Sequence, residues 1–538
     1  MKRPIFLHIL VFLVIIAVWV VVVSTSGSKP RITTVAPEAA RPGDLIVIQG
    51  ENFGESRSRG RVRIGTETPH HNDYESWADS RIVVRVPEGS SSGLVYVSTS
   101  NGRSNGALFR NSDQEPGSAA DATVGLPAIT GITPDPAEVG AVIALTGDHF
   151  GDIRGDGAVL FTAREADERH PLSSSSGSVE PASEEQGYVS WTNTEIRVRI
   201  PQGATSGTVR VETHRGSSSG VDLEIDSAAG AMAFSEPRNV AVQHEAEITV
   251  LESPEPPERL YFWFPRLRSY PEQRKVQRLT HQGIEPVFTQ GPLELYRLRA
   301  PEPSETRLVR ATTLLDIYRI ETRVNTGRLR TQYDSEDAFV QRYTASSEML
   351  PVEDPNVQSL GARAGRVGAN PYKQARALMD LLAEDLEAVE EVGNIGVARG
   401  LERGRGNAFT YAGAFVAALR ANGIPSRVVA GHLLREESLL RHYWAEVYLY
   451  GIGWIPADPA LADGLYGATG GADAYFARRP ADRVAFSKGL LETRPMVPGS
   501  ERIRVPEMYF LAGHHEEVVG DVHSYQITWR NVRLLGEY

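Results

Sequence analysis

The stretch "GRGNAFTYAG" (residues 404–413) sets a glycine-rich approach and a polar Asn407 directly before an apolar run. Tyr411, Ala412, Phe415, Val416 and Leu419 follow on one side at helical spacing, and Gly423 supplies a stop. This predicts a helix that opens at Ala408. The first backbone N–H groups of a helix are unpaired and form the positive end of its dipole, so such an end is a common place to present a nucleophile. Here the position carries an alanine.

Working outward, "NPYKQARALMDLLAEDLEAVEEV" (370–392) reads as a preceding helix. Asn370 is a good N-cap, Pro371 suits the first helical position, and Ala375, Leu378, Leu382 and Leu386 recur at helical spacing. Strands are expected in "PSRVVAGHL", "YWAEVYLY" and "GWIPADPA", with "GARAGRVGAN" (361–370) as a linker. A cysteine-type acyl-transfer site needs a thiolate near a helix start, an imidazole to carry its proton and a carboxylate to orient that imidazole. His442 precedes one of these strands and Asp458 follows another, so two of the three parts are present.

These motifs, "GNAFTYAGAF", "ALRANGIPSRVVAGH", "HYWAEVY" and "GWIPADP", resemble the transglutaminase-like superfamily over about 365–465. The resemblance implies a papain-like α+β core, with His442 at the family's base, Asp458 at its orienting acid and Ala408 at its nucleophile. Asn407, Tyr411 and Trp444 are expected to line a binding cleft beside them. The sequence holds no cysteine, so no nearby thiol can substitute. Thr410 lies about 200° round the helix from Ala408 and is expected to point away from His442. Ser438 is expected on a loop.

Upstream, 234–350 reads as a β-sandwich, from "NVAVQHEAEITVL", "ERLYFWFP" and "LLDIYRIETRV". It looks like the sandwich that often precedes such cores. The core is expected over 365–500 and a β extension over 501–538.

Further upstream lies an internal repeat. "PRITTVAPEAARPGDLIVIQGENFG" (30–54) matches "PAITGITPDPAEVGAVIALTGDHFG" (127–151), and "WADSRIVVRVPEGSSSGLVYVSTSNG" (77–102) matches "WTNTEIRVRIPQGATSGTVRVETHRG" (191–216). Pro37 and Pro134, Gly50 and Gly147, Phe53 and Phe150, and Trp77 and Trp191 fall in register. Alternation at Ile82, Val84, Val86 and at Ile196, Val198, Ile200 predicts half-buried strands of small sandwiches. Both copies resemble the IPT/TIG immunoglobulin-like family, over 29–111 and 127–225, whose modules mostly act as spacers or protein-binding domains. Residues 112–126 and 226–233 are expected to be linkers, and an insertion at 166–187 a flexible loop.

At the N-terminus Lys2 and Arg3 precede an apolar run from Ile5 to Val23. The run is longer than a signal-peptide core and long enough nearly to span a bilayer, which favours an uncleaved signal anchor within 1–28 over a cleaved signal. Basic residues on the short side place that end in the cytoplasm and the rest outside it, periplasmic or extracellular.

The 538-residue length suggests roughly three to five domains. Net charge of -12 argues against a nucleic-acid partner. Cofactors and metals are not expected: "HHND" (70–73) and "HHEE" (514–517) read as polar surface, because adjacent histidines on a strand face opposite ways. The expected fold is thus multidomain: an N-terminal membrane helix, two Ig-like sandwiches, a further sandwich and an α+β core. The expected function is a membrane-anchored, extracytoplasmic pseudoenzyme that binds a peptide, a protein or an envelope component. The alternatives are a weak non-covalent hydrolase or acyltransferase using His442 and Asp458, and a purely structural spacer.

Overall fold

The computed structural model describes residues 28–57, 60–65, 67–112, 126–155, 157–163, 178–181, 187–213, 215–252, 259–290, 293–299, 302, 304–390, 396–436, 438–490, 501–503, 516–519 and 525–538. The expected membrane anchor lies outside these residues, as do most of the 112–126 linker and of the insertion at 166–187. Among the described residues no helix is long and apolar enough to cross a membrane. The chain forms two compact units, one built on the first repeat module together with Pro286–Thr289, and one of Thr123–Glu285 and Gln290–Tyr538.

The first module pairs its strands in the order Arg31–Ala36, Leu45–Glu51, Arg81–Arg85, Tyr74–Ala78, and packs this sheet against a second one. Strict alternation buries Ile46, Ile48, Ile82 and Val84 from one sheet and Val62, Ile64, Val95 and Val97 from the other, all at 0% exposure. The second module repeats the order as Ala128–Thr133, Val142–Asp148, Glu195–Arg199, Tyr188–Trp191. Its details repeat too. Trp77 Nε1 donates to the Phe53 carbonyl at 3.0 Å, and Trp191 Nε1 to that of Phe150 at 3.1 Å. Val62 N–H donates to the Tyr74 hydroxyl at 2.8 Å, and Val159 N–H to that of Tyr188 at 3.0 Å. The "HHND" segment forms a short 3-10 turn rather than a strand, with His71 buried and its Nδ1 3.0 Å from Arg57.

The next domain is discontinuous in sequence. Strands Gly230–Val250 and Thr306–Val324 pair along almost their whole lengths, from Gly230 opposite Val324 to Thr249 opposite Thr306. Tyr525–Trp529 and Arg533–Glu537 add to Gly230–Val250, and Glu516–Val519 adds to Arg259–Pro265 in the facing sheet. Residues 501–538 are therefore not an appendage: their described strands complete the sandwich, because a 21-residue strand needs partners along its full length to satisfy its backbone. The expected linker at 226–233 already enters this strand at Gly230. The sandwich sheet ends at Val324 rather than 350, since the helix Ala338–Thr344 packs Phe339 and Tyr343 on Tyr448 and Trp454 of the core.

The core is a four-stranded antiparallel sheet in the order Gly453–Ala457, Ser438–Leu449, Ser426–Arg435, Arg483–Lys488. Helix Ala408–Ala421 is buried at every residue from Ala408 to Arg420, as expected of a helix apolar all round. The helix Pro355–Gly365 packs beside it and buries Gly361 and Ala364, so the expected linker at 361–370 is half helix. Asp354 caps it and Pro355 opens it, a start signal that the glycines downstream obscured. On the other side of the sheet, Leu434, Leu439, Val484 and Phe486 pack on Val240, Val242, Leu315 and Ile317 of the sandwich.

Candidate functional site

Three elements meet at the site. Asn407 is the N-cap of helix Ala408–Ala421, its Oδ1 accepting from Thr410 N–H at 3.1 Å. Phe409, the second helical residue, meets Tyr443 edge to face at 5.2 Å, which sets the helix start against the strand that carries His442. Asp458 ends the neighbouring strand and caps the short helix Pro459–Ala462 by accepting from Leu461 N–H at 3.1 Å.

The histidine and the aspartate are brought together. His442 Nε2 lies 2.7 Å from Asp458 Oδ2, and both side chains are buried. Burial alone would raise the Asp458 pKa, but the neighbouring His442 and Arg483 overcome it and hold the carboxyl down at about 2. Arg483 donates to the same oxygen from Nε at 3.1 Å and Nη2 at 2.7 Å, and it too is buried. The other imidazole nitrogen, His442 Nδ1, is buried and has no hydrogen-bond partner among the described residues. A ring whose one nitrogen is fixed on a carboxylate keeps the other for a nucleophile's proton. The residue at the helix start is Ala408, 4% exposed.

A second charged layer continues along the same strand. Glu446 accepts from Arg427 Nε at 2.7 Å and from Lys488 at 2.8 Å, and Lys488 also reaches Glu272 of the sandwich at 2.7 Å. Burial opposes ionisation of Glu272, yet Lys488 and Arg479 hold it down at about 2. The guanidinium groups of Arg479 and Arg483 lie 5.8 and 6.0 Å from the Trp444 ring.

Two expected cleft contacts are corrected. Trp444 is 0% exposed, packs with Val429 and Ala485, and stacks beside the His442 ring at 6.3 Å on the same strand face, so it is a buried neighbour of the imidazole and not an accessible contact. Tyr411 is 0% exposed, and its hydroxyl has its one proton between two acceptors, the Leu386 carbonyl at 2.9 Å and the Asp463 carboxylate. Thr410, also fully buried, turns its hydroxyl to Asn407 Oδ1 at 3.2 Å. Ser438 opens the histidine strand, opposite Arg435, instead of lying on a loop. Tyr466 covers the imidazole at 6.1 Å with a left-handed backbone, φ +56°. The sequence reading missed Arg483 and Tyr466: both follow Asp458 at spacings that carry no local periodicity.

Residues 359–459 match the transglutaminase-like superfamily. Residues 30–113 match the IPT/TIG domain. Two cyclomaltodextrin glucanotransferases share short stretches: the Paenibacillus macerans enzyme is 32% identical over 88 residues, 16% of this chain and 12% of that one. The Niallia circulans enzyme is 39% identical over 71 residues, 13% and 9%. The chain thus spans about a tenth of the length of the curated relatives it matches. Among solved structures, the periplasmic domain of TgpA from Pseudomonas aeruginosa is 20% identical, covering 39% of this chain and 71% of that one with a TM-score of 0.24. The Bacteroides uniformis SGBP-B is 12% identical, covering 54% and 99% with a TM-score of 0.14. Within the matched segment, His442 and Asp458 are paired, and the helix that follows Asn407 opens on Ala408.

Proposed function

We propose that the transglutaminase-like core is catalytically silent and serves a membrane-anchored, extracytoplasmic protein as a binding module for a peptide, a protein or an envelope component. One observation carries the reading: His442 Nδ1 is buried without a partner among the described residues, while the helix start offers only Ala408. Without a nucleophile the acyl-enzyme route is closed, and the whole sequence supplies no other thiol. The anchor is inferred from the apolar run Ile5 to Val23 behind Lys2 and Arg3.

The test uses Ala408→Cys in the full chain, where the new thiol is the sole one. Its alkylation rate is followed against pH, alone and with His442→Ala. A free thiol titrates near about 8.5, whereas a helix start and an imidazole lower that by a unit or more. Activation that needs His442 is the expected result. A thiol that titrates as a free one would show that the position does not address the imidazole, and the reading would fall.

The intact His442–Asp458 pair favours a second reading, water-based hydrolysis without a covalent intermediate. Removing a nucleophile generally leaves a small residual rate. Amide or ester turnover by the purified protein that disappears in His442→Ala would decide for it.

A further inference from the structure

Away from the His442 site, a cavity of about 370 Å³ opens where the second Ig-like module, the sandwich and the core meet. That volume falls in the range of small-molecule sites. Among the described residues its charged lining is one-sided: Arg199, Arg268, Arg274, Arg427 and Lys488 against the carboxylate of Glu180. Cations still outnumber carboxylates when Asp337, Glu446 and Glu272, which pair with them from behind, are counted. Three of the guanidinium groups lie over aromatic rings that also line the cavity: Arg427 over Trp454 at 4.0 Å, Arg199 over Phe339 at 4.6 Å and Arg274 over Phe234 at 5.0 Å. The wall is therefore apolar and positive at once.

Arg199 adds an independent sign. It is 5% exposed, donates through Nη1 to the Gly140 carbonyl at 2.8 Å and pairs through Nη2 with Asp337 at 2.7 Å. Its Nε–H is buried and has no acceptor among the described residues. Burying a charged donor without an acceptor is costly, so the field of this guanidinium is only partly compensated at the cavity wall.

We propose that this three-domain cavity binds an organic carboxylate with a flat apolar body, such as the carboxylate end of an aromatic amino acid or peptide. The carboxylate answers the positive surplus, and the body lies among Trp454, Phe339 and Tyr270. The assignment stands whether or not His442 retains any chemistry.

The experiment is titration calorimetry on the full chain with N-acetylphenylalanine and, as its neutral twin, N-acetylphenylalaninamide. The acid is expected to bind at least about tenfold more tightly than the amide, the scale of one charge-assisted hydrogen bond. Arg268→Gln is expected to weaken the acid about tenfold. Ser269→Glu, an exposed position on the same wall, introduces a like charge without disturbing the core and is expected to act in the same direction. His442→Ala is expected to leave binding unchanged. Equal binding of acid and amide, no binding of either, indifference to both wall substitutions, or loss on His442→Ala would each overturn the proposal.

Discussion

His442 Nε2 and Asp458 Oδ2 lie 2.7 Å apart, and the same oxygen takes two N–H groups of buried Arg483. One carboxylate thus pairs with both an imidazole and a guanidinium, which ties the geometry of the candidate site to the stability of the core.

Asp458→Asn is therefore expected to destabilise the protein, since it leaves buried Arg483 with Asp482, at 2.6 Å, as its remaining carboxylate partner among the described residues. Breaking a buried pair typically costs about 3–5 kcal/mol. Urea denaturation followed by tryptophan fluorescence reads the change. Because the Asp458 pKa is depressed to about 2, its contribution is full above the unfolded value near about 4 and is lost as pH falls through 2. In Asp458→Asn that acid-side loss should be smaller.

Two buried histidines act over a higher range. Burial holds His244 at about 4 and His432 at about 3. The unfolded chain takes up these protons near about 6.5 and the folded one does not, so stability is lost as pH falls from 6.5 toward 4. Each contributes a slope of up to about 1.4 kcal/mol per pH unit. His244→Phe should flatten the curve between pH 6 and 4 in a series of denaturation midpoints.

The paired glycines of the repeat are expected to be intolerant of a methyl group. A Cβ on Gly50 would come within 2.0 Å of the Arg31 carbonyl oxygen, and one on Gly147 within 2.0 Å of that of Ala128. Since each obstacle is the backbone of the neighbouring strand, relief requires that strand to move. Gly50→Ala and Gly147→Ala should each cost at least about 1–3 kcal/mol, measured by hydrogen exchange within the affected module.

Deletion of residues 516–538 is expected to open the sandwich. It removes the strands that pair with Gly230–Val250 and Arg259–Pro265 and leaves long unpaired edges. Limited proteolysis should then cut within 230–324 while residues 30–111 stay protected. Equal protection of the two regions would show that these strands are dispensable.

Much of this was legible in the chain because it is local. Alternation at Ile82, Val84 and Val86 fixes a face by geometry alone, and the helix at Ala408 is marked by its cap, its apolar run and its glycine stop. His442 and Asp458 were legible through the motifs around them. The linker expected at 361–370 is half helix because the Asp354–Pro355 start and the burial of Gly361 and Ala364 against a neighbouring helix outweigh its glycine content.

The sequence alone thus determined the repeat, the helix start without a nucleophile, and the absence of any thiol to replace it. The tertiary structure decided which groups share a boundary. It placed Arg483 on Asp458, buried Trp444 beside the His442 ring instead of leaving it accessible, paired the C-terminal strands with a strand nearly 300 residues earlier, and gathered five cations round a cavity. These contacts join residues far apart in the chain, and strand pairing and burial that depend on such partners leave no periodic trace at either end.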